Sequence, residues 1–185
     1  MPTSHWSYIS KIVDTIKKYN PSSILEIGVG AGKYGILSRE YLEIYGANRW
    51  QKKDWKVIID GVEIYKPYIT DQIKHYYSNI YNDDIVNLFK TNQLGKYDLI
   101  LMTDVLEHLT KENGIYILAQ IFEHSKASIL AVPIGDWRYE FEGENKAESH
   151  ISIWNDLELL TDNFVDGKMY SVSNKEIGIF IYENS

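Results

Sequence analysis

Short apolar runs alternate with amphipathic stretches along most of this chain. The apolar runs predict β-strands near residues 24–28, 57–63, 79–82, 97–103 and 127–133. The stretches between them repeat apolar side chains every three or four positions, which predicts helices near 33–45, 66–77, 84–91, 111–124 and 153–163. Strands that alternate with helices are joined by crossover connections and pair in parallel, so the pattern indicates an α/β fold.

The two ends of the chain depart from this alternation. At the start, Thr3 or Ser4 is expected to cap a helix that ends before Asn20 and has one apolar face, formed by Trp6, Ile9, Ile12, Val13 and Ile16. After residue 163, strand-like runs at 168–173 and 177–182, linked by 173–176, predict an antiparallel hairpin. We therefore expect a doubly wound, seven-stranded, mostly parallel sheet with an antiparallel C-terminal hairpin and helices on both faces.

Composition narrows the classes of protein that this pattern allows. The 185 residues, 44% of them hydrophobic, suit a single domain over 1–185, with a helix within 1–20 and a long loop at 134–153. Nineteen basic against 26 acidic residues give a net charge of −7, which disfavours nucleic acid as a partner. The absence of cysteine excludes disulfides, thiolate zinc sites and cysteine nucleophiles, and we expect no metal site.

The chain gives no membrane or targeting signal. Its first residues lack a basic segment followed by an apolar one, and no apolar run approaches about 18 residues. We therefore expect a cytoplasmic protein without a membrane partner. No pattern in the sequence indicates an oligomeric state.

A glycine-rich turn follows the first predicted strand, where open α/β sheets bind ligands. Gly28, Gly30 and Gly32 permit positive φ angles and a close approach of the backbone to a carboxylate or phosphate. Residues 30–35 also satisfy the dinucleotide pattern G-x-G-x-x-G, whereas the phosphate-loop pattern fails at Ile27 and Tyr34. A tight turn without any ligand is the plainer alternative.

Glu26 and the three glycines together form the pattern Glu26-x-Gly28-x-Gly30-x-Gly32, which resembles the first motif of class I S-adenosylmethionine methyltransferases. The resemblance extends over about 23–164 and is strongest to small, single-domain bacterial members. It implies a Rossmann-like fold, S-adenosylmethionine as cofactor and S-adenosylhomocysteine as product. It supplies the reaction class but no acceptor.

Acidic residues after the second and third predicted strands match further motifs of that family. Residues 61–64 resemble the second motif, which implies that Glu63 holds the ribose; a solvated acid at a strand end is the alternative. Asp84, with Asp83 as the second choice, resembles the acid that binds the adenine amino group, although either one also suits a helix cap. An extra segment at 46–56, mixing tryptophan with basic residues, lengthens the usual spacing and is expected to be a surface loop.

The string 103–109 resembles the fourth motif of the family, which implies that Asp104 and Val105 line the methionine end of the cofactor. His108 follows as a candidate catalytic or binding group, or as part of a helix start. His150, after the long loop that contains Trp137, resembles a histidine that many small-molecule methyltransferases direct into the site. An imidazole near its ordinary pKa can accept a hydroxyl proton, so His150 is the first candidate base, with a structural histidine as the alternative.

These features predict methyl transfer to a small-molecule acceptor, at oxygen. The acidic surface disfavours nucleic acid, and no added domain is evident that would recognise a protein. Two other classes stay open: a protein that binds the cofactor without catalysis, and a nicotinamide-dependent oxidoreductase.

Overall fold

The computed structural model describes residues 3–155, 164–172 and 175–184. Seven strands form one sheet in the order β3-β2-β1-β4-β5-β7-β6. The strands are β1 Ser23–Ile27, β2 Ile58–Val62, β3 Asn79–Tyr81, β4 Tyr97–Thr103, β5 Ser125–Ile134, β6 Phe164–Val172 and β7 Lys175–Glu183. Strands β1 to β5 pair in parallel, while β7 is antiparallel to both β5 and β6. The predicted sheet, its parallel part and its C-terminal hairpin are confirmed.

One helix precedes the first strand, and the others lie in the connections between the parallel strands. The helices are α1 Ile9–Tyr19, α2 Lys33–Ser38, α3 Tyr45–Ala47, α4 Asp71–Tyr76, α5 Ile85–Lys90 and α6 Lys111–His124, with a π-helical segment Arg39–Ile44 between α2 and α3. Side chains of Thr70, Asp84 and Thr110 accept hydrogen bonds from the first turns of α4, α5 and α6, which fixes where those helices begin. The predicted helix at 66–77 is shorter, because a separate 3-10 turn occupies Lys66–Tyr68.

Alternate residues of the central strands pack against helices on opposite faces of the sheet. Leu25 and Ile100 belong to a core shared with α5 and α6, whereas Ile24 and Leu99 belong to a core shared with α1, α2 and α4. Burial on both faces explains why β4 is almost continuously apolar. Helices therefore cover both faces of the sheet, as predicted.

The strand order reverses between β1 and β4, and this topology positions the site. Ile27 at the end of β1 lies opposite Val62 of β2 on one side and Met102 of β4 on the other. The segments that follow these three strands therefore meet at one edge of the sheet. In doubly wound folds this edge, at the point of reversal, is where ligands bind.

Three expectations need correction. Trp6 is not on the buried face of the first helix: it is 75% exposed in a 3-10 turn that His5 caps, and Tyr8 is buried instead. The hairpin strand β6 begins at Phe164, earlier than predicted. Ile153–Asn155 are not helical, and the rest of the helix predicted at 153–163 lies outside the described residues.

The extra segment at 46–56 was expected to be a surface loop; it begins in α3 and contains a 3-10 turn at Lys52–Asp54, and the rest is irregular. The Trp55 ring packs under the guanidinium of Arg39, with 4.7 Å between Cζ and the ring centroid, whereas Trp50 is 72% exposed. Within the described part of the chain, no helix has the length and apolar character that crossing a membrane requires.

Candidate active site

The glycine-rich loop has the backbone conformation that its sequence predicts. Gly28, Gly30 and Gly32 have φ angles of +81°, +49° and +74°, and Gly32 is the N-cap of α2. A Cβ atom on Gly28 would lie 2.4 Å from Cγ2 of Val105, which follows β4. Glycine at position 28 is therefore needed both for the left-handed turn and for the close approach of two strand ends.

Glu26 is buried beneath this loop and holds α2 on β1. Its carboxylate accepts a hydrogen bond from the Tyr77 hydroxyl and others from the backbone amides of Tyr34 and Gly35. Burial raises the pKa of Glu26 to about 7, although these hydrogen bonds oppose the rise. Glu26 also borders the cleft at this edge of the sheet, but its hydrogen bonds support the glycine loop.

Glu63 lies at the carboxyl end of β2, directly beside the glycine loop. Its Oε2 accepts from the Gly30 amide at 2.8 Å, and its Oε1 accepts from the Tyr65 amide at 2.8 Å. The side chain is buried, and burial raises its pKa. The alternative of a solvated strand-end acid does not fit, because this carboxylate faces the cleft from a buried position.

Asp83 and Asp84 form the turn between β3 and α5 and border the same cleft. Asp84 caps α5, with Oδ1 accepting from the Val86 amide at 2.8 Å. Asp83 uses Oδ1 for the Asp84 amide and Oδ2 for the Asn87 side chain. Asp84 therefore does cap α5. Because it also borders the cleft, its remaining acceptor positions can face a ligand there.

Asp104 follows β4 in a left-handed conformation that is unusual for a residue other than glycine, with φ of +53°. Its amide donates to the Ala131 carbonyl, and its Oδ2 accepts from the Tyr8 hydroxyl at 2.5 Å. Its Oδ1 is buried and accepts no hydrogen bond from any described residue. Burial raises the pKa of Asp104 to about 6, partly offset by Tyr8 and Lys33.

The N-terminal segment covers the glycine loop, a feature that sequence reasoning missed. Lys33 donates hydrogen bonds to the carbonyl and hydroxyl oxygens of Ser4, and the Ser4 hydroxyl bonds to Tyr34. Trp6 also borders the cleft while remaining largely exposed. No local pattern relates these positions to the glycine loop, because the contacts join residues about 30 positions apart.

His108 and His150 lie side by side in the wall of the cleft, and the part that they line is its histidine end. Their ring centroids are 4.7 Å apart and the rings are nearly perpendicular. Nδ1 of His108 lies 3.0 Å from the Ser149 carbonyl. Burial lowers the pKa of both histidines, that of His150 to about 4, and the neighbouring His108 adds to that effect. Both imidazoles are therefore neutral at pH 7. Glu107, which sequence reasoning did not select, is buried beside them, with 3.9 Å between its Oε1 and Nε2 of His150.

Backbone bridges hold the loop that was expected at 134–153 near both of its ends. Gly135 bridges to Trp154, and Tyr139 bridges to His150. The Trp154 indole N–H donates to the carbonyl of Leu106, the first residue of the turn that bears His108. These bonds hold His150 against the 3-10 turn Leu106–His108.

One cleft of about 900 Å³ joins all of these features. Its walls include every predicted site residue except Gly32, which lies in the turn beneath it. Trp137, Tyr139 and Glu148 border the same cleft at the histidine end. Such a volume suits a nucleoside-sized cofactor together with a small second molecule.

The fold is shared with several solved structures, methyltransferases among them. The methyltransferase domain of bacterial CtHen1 aligns with a TM-score of 0.56 and 15% identity, over 92% of this chain and 95% of that chain. Magnesium protoporphyrin IX methyltransferase from Synechocystis PCC 6803, with SAM bound, aligns with a TM-score of 0.58 and 14% identity, over 99% of this chain and 86% of that chain. TehB from Haemophilus influenzae aligns with a TM-score of 0.63 and 15% identity; the match covers 98% of this chain but 64% of TehB.

No protein-family model and no curated protein sequence matches the chain. The structural matches to methyltransferases nevertheless span nearly all of the chain. The fold is the class I, Rossmann-like fold of S-adenosylmethionine-dependent methyltransferases.

Proposed function

We propose that this protein binds S-adenosylmethionine in the cleft beside the glycine loop and transfers its methyl group to an oxygen of a small-molecule acceptor. The observation that carries the proposal is the convergence of the left-handed glycine turn, buried Glu63 and Asp84 on one cleft of about 900 Å³. The class I methyltransferase fold supports the same reading.

The cofactor contacts follow from the hydrogen-bonding capacity of each group. Each Glu63 oxygen already accepts one backbone N–H, and a carboxylate oxygen has two lone pairs, so both ribose hydroxyls have an acceptor. Asp84 would accept from the adenine amino group, with Asp83 as the alternative. Gly28, Gly30 and Gly32 would admit the methionine part, and Asp104 and Val105 would line its end. Glu26 supports this loop from below.

The cofactor would supply an electrophilic methyl group on a sulfonium sulfur. Transfer to an acceptor oxygen would form an O–C bond while the S–C electron pair returned to sulfur, so that S-adenosylhomocysteine would be the second product. The protein mainly positions the two molecules and excludes water, tasks that suit Trp137 and Tyr139 at the cleft wall.

The proton of the acceptor hydroxyl has to leave during or after the attack. Neutral His150, with His108 beside it, offers a lone pair in the part of the cleft that would hold the acceptor, here called the acceptor end. Its pKa of about 4 makes it a weaker base than the imidazole of ordinary pKa that the sequence suggested. We assign to His150 the task of assisting that proton loss. Such assistance contributes typically about 10²–10⁴-fold in rate.

A turnover assay tests the reaction. The protein is incubated with S-adenosylmethionine and a pool of small hydroxylated and carboxylated metabolites, and S-adenosylhomocysteine is quantified. We expect formation of product, a rate at least 100-fold lower for His150→Ala, and no change for His75→Ala, whose side chain is exposed and outside the cleft.

Three outcomes would contradict the proposal or a part of it. Tight cofactor binding without turnover on any acceptor would favour a binding protein with this fold. Hydride transfer from a reduced nicotinamide cofactor to a ketone would favour an oxidoreductase. Equal rates for His150→Ala and the unaltered protein would remove His150 from the reaction.

A further inference from the structure

Three side chains at the acceptor end of the cleft form a potential metal-binding cluster. Glu107, His108 and His150 each offer one ligand atom, and these atoms all lie within 4.8 Å of one another. Nε2 of His150 is 3.9 Å from Oε1 of Glu107. Two imidazoles with one carboxylate are a donor set that binds first-row transition metal ions while leaving coordination positions open.

The carboxylate of Glu107 is the member of this cluster that most needs a partner. It is 2% exposed, and neither of its oxygens accepts a hydrogen bond from another described residue. Burial raises its pKa well above the ordinary value, and the nearby carboxylates of Asp104 and Glu148 add to the rise. A buried carboxylate without hydrogen bonds is costly unless it is paired with a cation or protonated. Nδ1 of His150 is likewise buried without a partner among the described residues.

The backbone around the cluster holds its members in place. The amides of Ile151 and Ser152 donate to the Glu107 carbonyl at 2.8 and 3.1 Å, which joins the turn bearing Glu107 to the strand-like segment after His150. If Nδ1 of His108 donates its proton to the Ser149 carbonyl, Nε2 keeps a lone pair for coordination. A metal-binding histidine is commonly oriented in this way, with its second nitrogen donating to a carbonyl.

We propose that Glu107, His108 and His150 bind a divalent transition metal ion, such as Mn²⁺, Co²⁺ or Zn²⁺, at the acceptor end of the cleft. Bonds of about 2.0–2.2 Å place ligand atoms roughly 3–3.5 Å apart. Because the three ligand atoms lie within 4.8 Å of one another, the widest separation needs to shorten by roughly 1–2 Å. The imidazoles favour these ions over Mg²⁺ or Ca²⁺. The sequence alone predicts no metal site, because it does not show that residue 150 returns to residues 107 and 108.

The cation would change how the site acts on the acceptor, and this part of the inference rests on the proposed function. A divalent ion can bind a hydroxyl oxygen and lower its pKa. As ligands, His108 and His150 would then assist proton loss by holding the ion instead of accepting the proton. Both residues would remain at the acceptor end, and the cofactor contacts would not change.

Cation binding is tested on the whole protein without cofactor or acceptor. After treatment with a chelator and its removal, Mn²⁺, Co²⁺, Zn²⁺ and Mg²⁺ are each titrated calorimetrically, and Co²⁺ binding is also followed by its visible absorption. The unaltered protein and His75→Gln, which changes an exposed histidine outside the cluster, should bind one transition ion with equal affinity. Glu107→Gln and His150→Gln should each lower that affinity by about 100-fold or more.

Thermal unfolding gives a second readout that does not depend on a binding signal. Without a cation, Glu107→Gln should unfold at the same temperature as the unaltered protein or higher, because it removes an unpaired buried carboxyl. Added cation should raise the unfolding temperature of the unaltered protein and of His75→Gln, but not that of Glu107→Gln. Failure to bind a transition ion, or equal binding by Glu107→Gln, would overturn the metal site. Neither result would bear on the proposed methyl transfer, because neither measurement includes S-adenosylmethionine.

Discussion

Replacement of Gly28 by alanine tests the close approach of two strand ends on which the glycine loop depends. The new Cβ would lie 2.4 Å from Cγ2 of Val105, and the residue would keep a φ of +81°. A left-handed conformation costs alanine about 1–2 kcal/mol. Overpacking against Val105 adds about 1–3 kcal/mol. We therefore expect Gly28→Ala to lower the free energy of unfolding by about 2–5 kcal/mol.

A second glycine separates the two contributions. Gly135 has a similar φ of +87°, but a Cβ atom there would have no neighbour within 4 Å. Gly135→Ala should therefore show only the conformational cost, about 1–2 kcal/mol. Val105→Ala removes the Cγ2 atom that the new Cβ would meet. The double variant should therefore be more stable, by about 1–3 kcal/mol, than the sum of the losses in Gly28→Ala and Val105→Ala predicts.

Urea unfolding of the four variants and the unaltered protein measures these differences. Gly28→Ala should also weaken cofactor binding, because the altered turn displaces the loop amides. Equal destabilisation by Gly28→Ala and Gly135→Ala, with no coupling to Val105→Ala, would refute the steric argument.

Two further perturbations test the buried groups beside the site. Because the pKa of Glu26 is raised to about 7 in the folded protein, its ionisation above that pH opposes folding. As pH rises from 5 to 8, the free energy of unfolding measured with urea should therefore fall by about 2–3 kcal/mol less in Glu26→Gln than in the unaltered protein. Equal losses in the two proteins would contradict this. A Cβ on Gly114 would lie 2.4 Å from Cζ2 of Trp154, so Gly114→Ala should cost about 1–3 kcal/mol and shift tryptophan fluorescence, whereas Gly95→Ala, with open space around it, should do neither.

Much of the fold was predictable because its signals are local. The apolar runs of β1 and β4 and the glycine turn each occupy fewer than ten consecutive residues, and parallel pairing follows from the alternation with helices. The position of Glu63 beside Gly30 was predictable for the same reason, since the ends of neighbouring parallel strands meet at one edge.

The missed features depend on contacts between distant parts of the chain. The Tyr8 hydroxyl meets Asp104 across 96 positions, and nothing near Tyr8 in sequence indicates that partner. Glu107 looked like one more polar residue at a helix start. Its burial and lack of hydrogen bonds become evident only when the loop returns His150 to the same place.

Calorimetric titration with S-adenosylmethionine, S-adenosylhomocysteine and a reduced nicotinamide cofactor tests the central claim most directly. The unaltered protein should bind the first two compounds and not the third. Glu63→Ala should weaken both affinities, by about 10-fold or more if one charge-assisted hydrogen bond to the ribose is lost. Binding of the nicotinamide cofactor alone, or unchanged affinity for S-adenosylmethionine in Glu63→Ala, would contradict the cofactor assignment or its ribose anchor.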